Sequence, residues 1–173
     1  LSRADLSIPE KQACAAIGQR FLMHTYEKAF EKKDIKVAQI LLSHDDLGNR
    51  RRYLNAKHTI EALLERNVIP IINENDSVTV EEIKIGDNDT LSATVACLVD
   101  AQLLIILSDV EGLFNRDPSI KVKGEKAELL SHVARVNDEI ERTAGKSNNK
   151  LTVGGMYTKV IAAKKTMSFG IPT

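Results

Sequence analysis

The stretch QLLIILSD, Gln102 to Asp109, constrains the fold most, because its aliphatic core shows no alternation with polar residues. A strand with one wet face alternates, whereas a strand covered on both faces reads as a continuous apolar run. Two further short runs have strand character, IKVAQILLS from Ile35 to Ser43 and NVIPII from Asn67 to Ile72. Helix-like stretches separate them. Ser7-Ile8-Pro9-Glu10 is a helix start, with Ser at the cap, Pro in the first turn and Glu three residues on. The helix it opens is expected to reach about Lys32, with Ala15, Ala16, Phe21, Leu22, Tyr26 and Phe30 on one apolar face. A charged helix is expected over about Asn49–Glu65 with Leu54, Ile60, Leu63 and Leu64 inward. Others are expected over Leu91–Leu98, Ser131–Ala144 and Gly154–Ser168. Helices alternating with buried strands predict an α/β fold, a three-layer α/β/α sandwich around a mainly parallel sheet.

At 173 residues the chain suits one domain, and a chain of this size buries roughly 68–70% of its unfolded surface. Lysine plus arginine equals aspartate plus glutamate, 24 each. No overall field therefore draws the chain to nucleic acid or an anionic membrane. The absence of tryptophan removes the best platform for stacking bases. No run of 18 or more apolar residues is present to span a bilayer. Cys14 and Cys97 both sit in Ala-rich helical contexts and read as small buried hydrophobes, which fits a reducing cytoplasm. The four histidines, His24, His44, His58 and His132, show no paired metal-ligand spacing and read as surface or capping residues. Arg50-Arg51-Arg52 reads as a solvated helix face, as does the group Lys28, Lys32, Lys33 and Lys36.

Ligands of parallel α/β sheets bind at the carboxyl ends of the strands. Two features fall there. Asn73-Glu74-Asn75-Asp76 follows NVIPII, and Ser108-Asp109 ends QLLIILSD. A second polar knot, Asp87-Asn88-Asp89, lies about a dozen residues beyond the first. Such carboxylates and amides can hold an amino acid by its ammonium and carboxylate. They can equally cap helices and turns. Ser108 and Asp109 could face a nucleotide, with Gly112 allowing a tight turn and Asp117-Pro118 another, or could be an ordinary exit from a strand. In KSNNKLTVGGMYTK, Lys146 to Lys159, two glycines open a helix and a lysine follows one turn inside. Backbone N–H groups at such a start attract phosphate oxygens, although a plain glycine helix start looks the same.

Together, IPIINEND, IKIGDNDTLSA, LLIILSDVEGLFNRDP and GGMYTK resemble the glutamate 5-kinase (gamma-glutamyl kinase) family of the amino acid kinase superfamily. AAIGQ, QILLSHDD and RRRYLNAKHTIEALL extend the resemblance over nearly the whole chain, and the paired NEND and GDND distinguish it from acetylglutamate, aspartate and carbamate kinases. The resemblance implies ATP-dependent phosphorylation of the L-glutamate side-chain carboxylate, the first step of proline biosynthesis, in the cytoplasm. It implies that Asp76 and Asn88 bind glutamate with Asn73 and Asp87 near it, and that Asp89 orients phosphate-binding lysines. It further implies that Ser108 and Asp109 contact ATP, that Val153, Gly154, Gly155, Met156, Tyr157, Thr158 and Lys159 form the ATP loop, and that Lys159 stabilises the transferring phosphoryl group. Mg²⁺ would arrive with the ATP.

Two departures stand out: Ser108 replaces the usual threonine, and TVGGM replaces GTGGM, so that Val153 brings no hydroxyl and Thr152 lies one position earlier. A homo-oligomer and feedback inhibition by proline, through the glutamate pocket and the loop Thr79 to Lys84, are also implied. On the family pattern, residues 1–173 are an amino acid kinase domain incomplete at both ends, without the N-terminal phosphate-binding strand, and inactive as a separate piece. Bacterial members of the family often carry a PUA domain, whose place would be beyond residue 173. Other outcomes of the same resemblance are the kinase half of a bifunctional pyrroline-5-carboxylate synthase and a non-catalytic amino-acid sensor.

Overall fold

The computed structural model describes residues 6–78, 88–116, 126–145 and 155–173. The chain forms two compact units, residues 1–86 and 87–173. The first unit contains α1 (Ile8–Glu31), β1 (Lys36–Leu42), α2 (His44–Gly48), α3 (Arg50–Leu64) and β2 (Val68–Glu74). Its two strands pair in parallel, from Lys36 opposite Val68 to Leu42 opposite Glu74. A parallel pair needs a long crossover, here supplied by α2 and α3. The α1 start is the expected capping box: the Ser7 backbone N–H and hydroxyl both donate to Glu10 Oε2, at 2.8 and 2.6 Å. At α3, Asn49 Oδ1 accepts from the N–H groups of Arg51 and Arg52.

The second unit contains α4 (Asn88–Leu98), α5 (Asp138–Thr143) and α6 (Met156–Ser168). Its core is the α4–α6 packing, with Leu91, Ala93, Ala96 and Leu98 buried on one helix and Val160, Ala162 and Thr166 on the other. The small side chains of Ala93, Ala96 and Ala162 let the two backbones approach. Between α4 and α5, Phe114 and Leu129 form an antiparallel bridge, flanked by Asn115 N–H to Glu128 O and Leu130 N–H to Leu113 O. Gly112 beside it has φ +154°, and a Cβ there would stand 3.1 Å from Leu129 Cδ1. A side chain at 112 would thus be strained and would crowd Leu129.

Four helices end alike. Asp34, Asn67, Asp100 and Gly170 all have left-handed φ, between 52° and 75°. After three of these stops the next N–H reaches back five residues, Ile35 to Phe30 O, Ala101 to Ala96 O and Ile171 to Thr166 O. Asp and Asn tolerate that conformation better than other residues with a Cβ, which is why they serve beside glycine here.

Several expectations need correction. Residues 102–109 are not assigned as a strand. Leu103, Ile105 and Leu107 are 53%, 70% and 90% exposed, and Leu104 N–H donates to Pro172 O. Hydrophobicity marks a segment suited to a sheet, but a strand exists only where a neighbour accepts its hydrogen bonds. The helix expected over Ser131–Ala144 is confined to Asp138–Thr143, because Asn137 caps it by accepting from the Ile140 N–H at 2.9 Å. A short helix, α2, precedes α3 where none was expected. Of the α1 face, Phe21, Leu22 and Tyr26 are exposed while Met23 is buried, since α1 packs on β1 along a narrower stripe. Leu54 and Leu64 of α3 are also exposed; Ala56 and Ile60 are its buried pair. Cys97 is buried but Cys14 is exposed. The four histidines, Arg50 to Arg52 and the lysines at 28, 32, 33 and 36 are all on the surface. Among the described residues no helix is long and apolar enough to cross a membrane.

Candidate functional site

The polar groups fall around two cavities, one in each unit. In the first unit β2 ends at Glu74, and a turn follows through Ser77, whose hydroxyl donates to Asn75 Oδ1 at 2.6 Å. This delivers Asn73 and Asp76 to the wall of a cavity of about 580 Å³, which α1 closes with Ala15, Gln19 and Leu22. Asn73 is half-buried and its Nδ2 donates to Gln19 Oε1 at 3.2 Å. Asp76 is exposed at the rim. Gln19 has no assignment from sequence, although it ends the AAIGQ stretch. Its Nε2 is buried with no hydrogen-bond partner among the described residues, and a buried polar group left unmatched is uncommon. Only the contact across 54 residues of sequence picks it out.

In the second unit the central feature is an ion pair. Lys159, one turn into α6, places Nζ 2.9 Å from Oδ2 of Asp89 in the first turn of α4. The two side chains are 19% and 14% exposed. Asp89 suits its place, because a carboxylate near a helix N-terminus meets the positive end of the peptide dipoles. The Thr158 hydroxyl also lies 2.9 Å from Asp89 Oδ2, and 2.6 Å from the Gly155 carbonyl oxygen. Gly155 is the N-cap of α6 and has an extended backbone, with no side chain to satisfy the first N–H groups. A helix start without a side-chain cap is the kind of site that can receive an anion.

Lys159, Met156 and Ser108 line one cavity of about 840 Å³. Its remaining wall is mostly aliphatic, including Leu113, Val133, Val136 and Ile140. A flat apolar ring and a chain of phosphates would find complementary ends there. The segment at 130–136 contributes to that wall, although from sequence it reads only as part of a helix, with no part in a site; Val133 and Val136, three residues apart, are its local signal. Ser108 is exposed, its Oγ accepting from Val110 N–H at 3.4 Å and lying 3.5 Å from Asp109 Oδ1. Asp109 is exposed beside it, Tyr157 is half-buried on α6, and Asn88 is exposed at the start of α4. Asp87, Thr152, Val153, Gly154, the Asp117-Pro118 turn and the loop 79–84 lie outside the described residues.

Behind the ion pair, Lys165 Nζ donates to Thr94 Oγ1 at 2.6 Å and Lys164 pairs with the buried Glu141, so α6 is tied to α4 and α5. Burial pushes the Cys97 thiol up, with Asp100 adding to the rise and the nearby Lys165 cation opposing it. Cys97 is thus a neutral packing group.

A parallel strand pair, an Asn-rich exit from β2, and a helix that starts on glycine and carries a lysine define a class: residues 2–173 match the amino acid kinase family model, and the chain belongs to the amino acid kinase family. The parallel pair flanked by helices is the portion of that family's α/β/α fold visible among the described residues. Within the family the chain is similar to glutamate 5-kinases. It is 54% identical to that of Carboxydothermus hydrogenoformans over 166 residues, 96% of this chain and 44% of that protein. To that of Geobacter metallireducens it is 53% identical over 167 residues, 96% and 44% of the two chains. To that of Meiothermus ruber it is 51% identical over 172 residues, 99% and 45%. The chain spans less than half the length of these relatives.

Proposed function

We propose that the protein containing this chain is a glutamate 5-kinase, which transfers the γ-phosphoryl group of ATP to the side-chain carboxylate of L-glutamate. A carboxylate oxygen forms the new bond to phosphorus, the bond from phosphorus to the ADP oxygen breaks, and the products are L-glutamyl 5-phosphate and ADP. The observation that carries this reading is the Asp89–Lys159 pair beside a cavity that also takes in Ser108 and Met156. The similarity to glutamate 5-kinases along nearly the whole chain supports the choice of substrate.

The chemistry asks little of the protein beyond position and charge. The attacking carboxylate is ionised at neutral pH, so no general base is required. Bringing that anion to a polyphosphate is the difficulty, and Lys159 offsets it together with Mg²⁺ carried by the nucleotide. The Gly155 end of α6 would offer backbone N–H groups to phosphate oxygens. Asn73 and Asp76 would take the amino acid in the first unit; the part of Asn88 and Asp87 in its recognition rests on the family resemblance alone. With Nδ2 of Asn73 engaged by Gln19, its Oδ1 is the atom turned to the substrate, where it would accept from the ammonium. The same reading includes a cytoplasmic location, a homo-oligomer and proline as an inhibitor that competes for the amino-acid cavity.

The test is steady-state kinetics of glutamyl phosphate formation, trapped as the hydroxamate. Asp76→Ala is expected to raise the glutamate KM by well over tenfold and the ATP KM by less than about threefold, as loss of a charge-assisted contact to one substrate would. Equal effects on both substrates would remove Asp76 from the amino-acid cavity, and a wild-type protein that forms no glutamyl phosphate would end the kinase reading.

A further inference from the structure

The Thr158 side chain does something that a phosphate-binding loop does not require. Backbone N–H groups and a lysine suffice to hold phosphate, yet the Thr158 hydroxyl faces the helix α4 carboxylate, 2.9 Å from Asp89 Oδ2. That oxygen is the one Lys159 contacts, also at 2.9 Å. Two donors from adjacent residues of α6 therefore converge on one oxygen of α4. The Gly155 carbonyl, 2.6 Å from the same hydroxyl, fixes the threonine rotamer against the N-cap of its own helix.

We infer that Thr158 is a positioning residue that holds Asp89 in place while Lys159 turns to the phosphoryl group. The inference rests on the kinase reading and assigns a side-chain task within it. In the resting arrangement Lys159 neutralises Asp89. When an anionic phosphoryl group forms beside Lys159, the ammonium is shared between the two, and Asp89 loses part of its attraction. A carboxylate held less firmly at that moment would shift, carry the ammonium with it, or take up water. The Thr158 hydroxyl opposes this, because its single proton, shared in the resting arrangement with the Gly155 carbonyl, can pass to the carboxylate as Lys159 turns away. Bonds to a charged acceptor are also roughly twice as strong as neutral ones. A hydroxyl suits the task better than a second cation, which would compete with Lys159 for Asp89. The position is part of the geometry too: Thr158 precedes Lys159 directly, so the α6 backbone sets the spacing of the two donors.

The experiment uses the complete gene product with three substitutions, Thr158→Val, Thr158→Ser and Asp89→Asn, and the double variant of the first and last. Valine keeps the shape and removes the hydroxyl; serine keeps the hydroxyl. Thr158→Val should lower kcat by about 10- to 100-fold, the worth of a lost hydrogen bond to a charged group, while the ATP KM changes by less than about threefold. Thr158→Ser should restore kcat to within about threefold of wild type. In the Asp89→Asn background, Thr158→Val should produce no further loss, since residues acting on one group are not additive.

The same four proteins, unfolded in urea, should show the same non-additivity in stability, a readout independent of turnover. An unchanged kcat in Thr158→Val, equal losses in Val and Ser, or additive losses with Asp89→Asn would each overturn the inference. If the wild type forms no glutamyl phosphate, the kinase reading fails and takes the catalytic task with it, while the unfolding cycle still decides whether Thr158 holds Asp89.

Discussion

The Ser43 hydroxyl and backbone N–H both donate to Asp46 Oδ2, at 2.6 and 2.7 Å, and together they hold its carboxyl below the usual carboxylate range, with Arg52 adding a smaller pull. A carboxyl depressed in the folded state contributes stability that is present above its unfolded value, about 3.9. That contribution is lost as pH falls through the folded value. Ser43→Ala removes the hydroxyl bond and the cap on the Asp46 N–H. It should lower stability at pH 7 by about 0.5–2 kcal/mol, the usual worth of such a cap. The deficit against wild type should begin to shrink below about pH 3.9 and be smaller at pH 3, because the unfolded chain then takes up the proton that folded Asp46 resists. Urea unfolding at the two pH values decides it, and a deficit that does not change with pH would contradict the account. The same scale shows what one chain of letters can reveal about a site. Asp89 and Lys159 stand out as a carboxylate and a cation in glycine- and Asx-rich loops, so each was legible alone. The neutral contacts, Thr158 to Asp89 and Gln19 to Asn73, were not, because hydroxyls and amides occur everywhere and only folding brings these across 69 and 54 residues.

Helix α3 shows how far periodicity carries at the level of an element. Its limits follow from local chemistry, Asn49 at the start and Asn67 in a left-handed turn at the end, and both were close to the expected bounds. Which leucines face inward was read less well. Leu54 and Leu64 are exposed, whereas Ile60 is 1% exposed and Ala56 is buried, because the buried stripe is narrower than the apolar one. A periodic pattern records where a helix can bury residues; the breadth of its neighbour decides where it does. Ile60→Ala should therefore destabilise by about 2–5 kcal/mol through the cavity it leaves, and Leu64→Ala by less than about 1 kcal/mol. Urea midpoints at constant m-value would check both, and similar losses would contradict the burial pattern. The run at 102–109 marks the opposite limit. Its composition suits a strand, but strand identity belongs to a pair of segments and cannot be read from one.

On the scale of the whole chain, 24 basic and 24 acidic side chains cancel, and the isoelectric point is about 7.1. Proteins near zero net charge lose the mutual repulsion that keeps them apart. Solubility of this chain should pass through a minimum near pH 7 and rise towards pH 9, with light scattering as the measure; a monotonic trend would contradict it. The alternation of helices and strands, and the class of fold, were legible because they depend on sums over many residues. The division into two units was not, since nothing in the composition changes near residue 86.

The exposed leucines and isoleucine at 103, 105 and 107 have a further consequence outside the native state. Five consecutive aliphatic residues with no proline, glycine or charge among them form a segment of the kind that stacks into dry cross-β ladders. Asp109 and the acidic residue two places on, Glu111, stand as gatekeepers on one side and Asp100 on the other. A charge introduced at Leu107, the most exposed of the three, would make the chain easier to produce and harder to nucleate into fibrils.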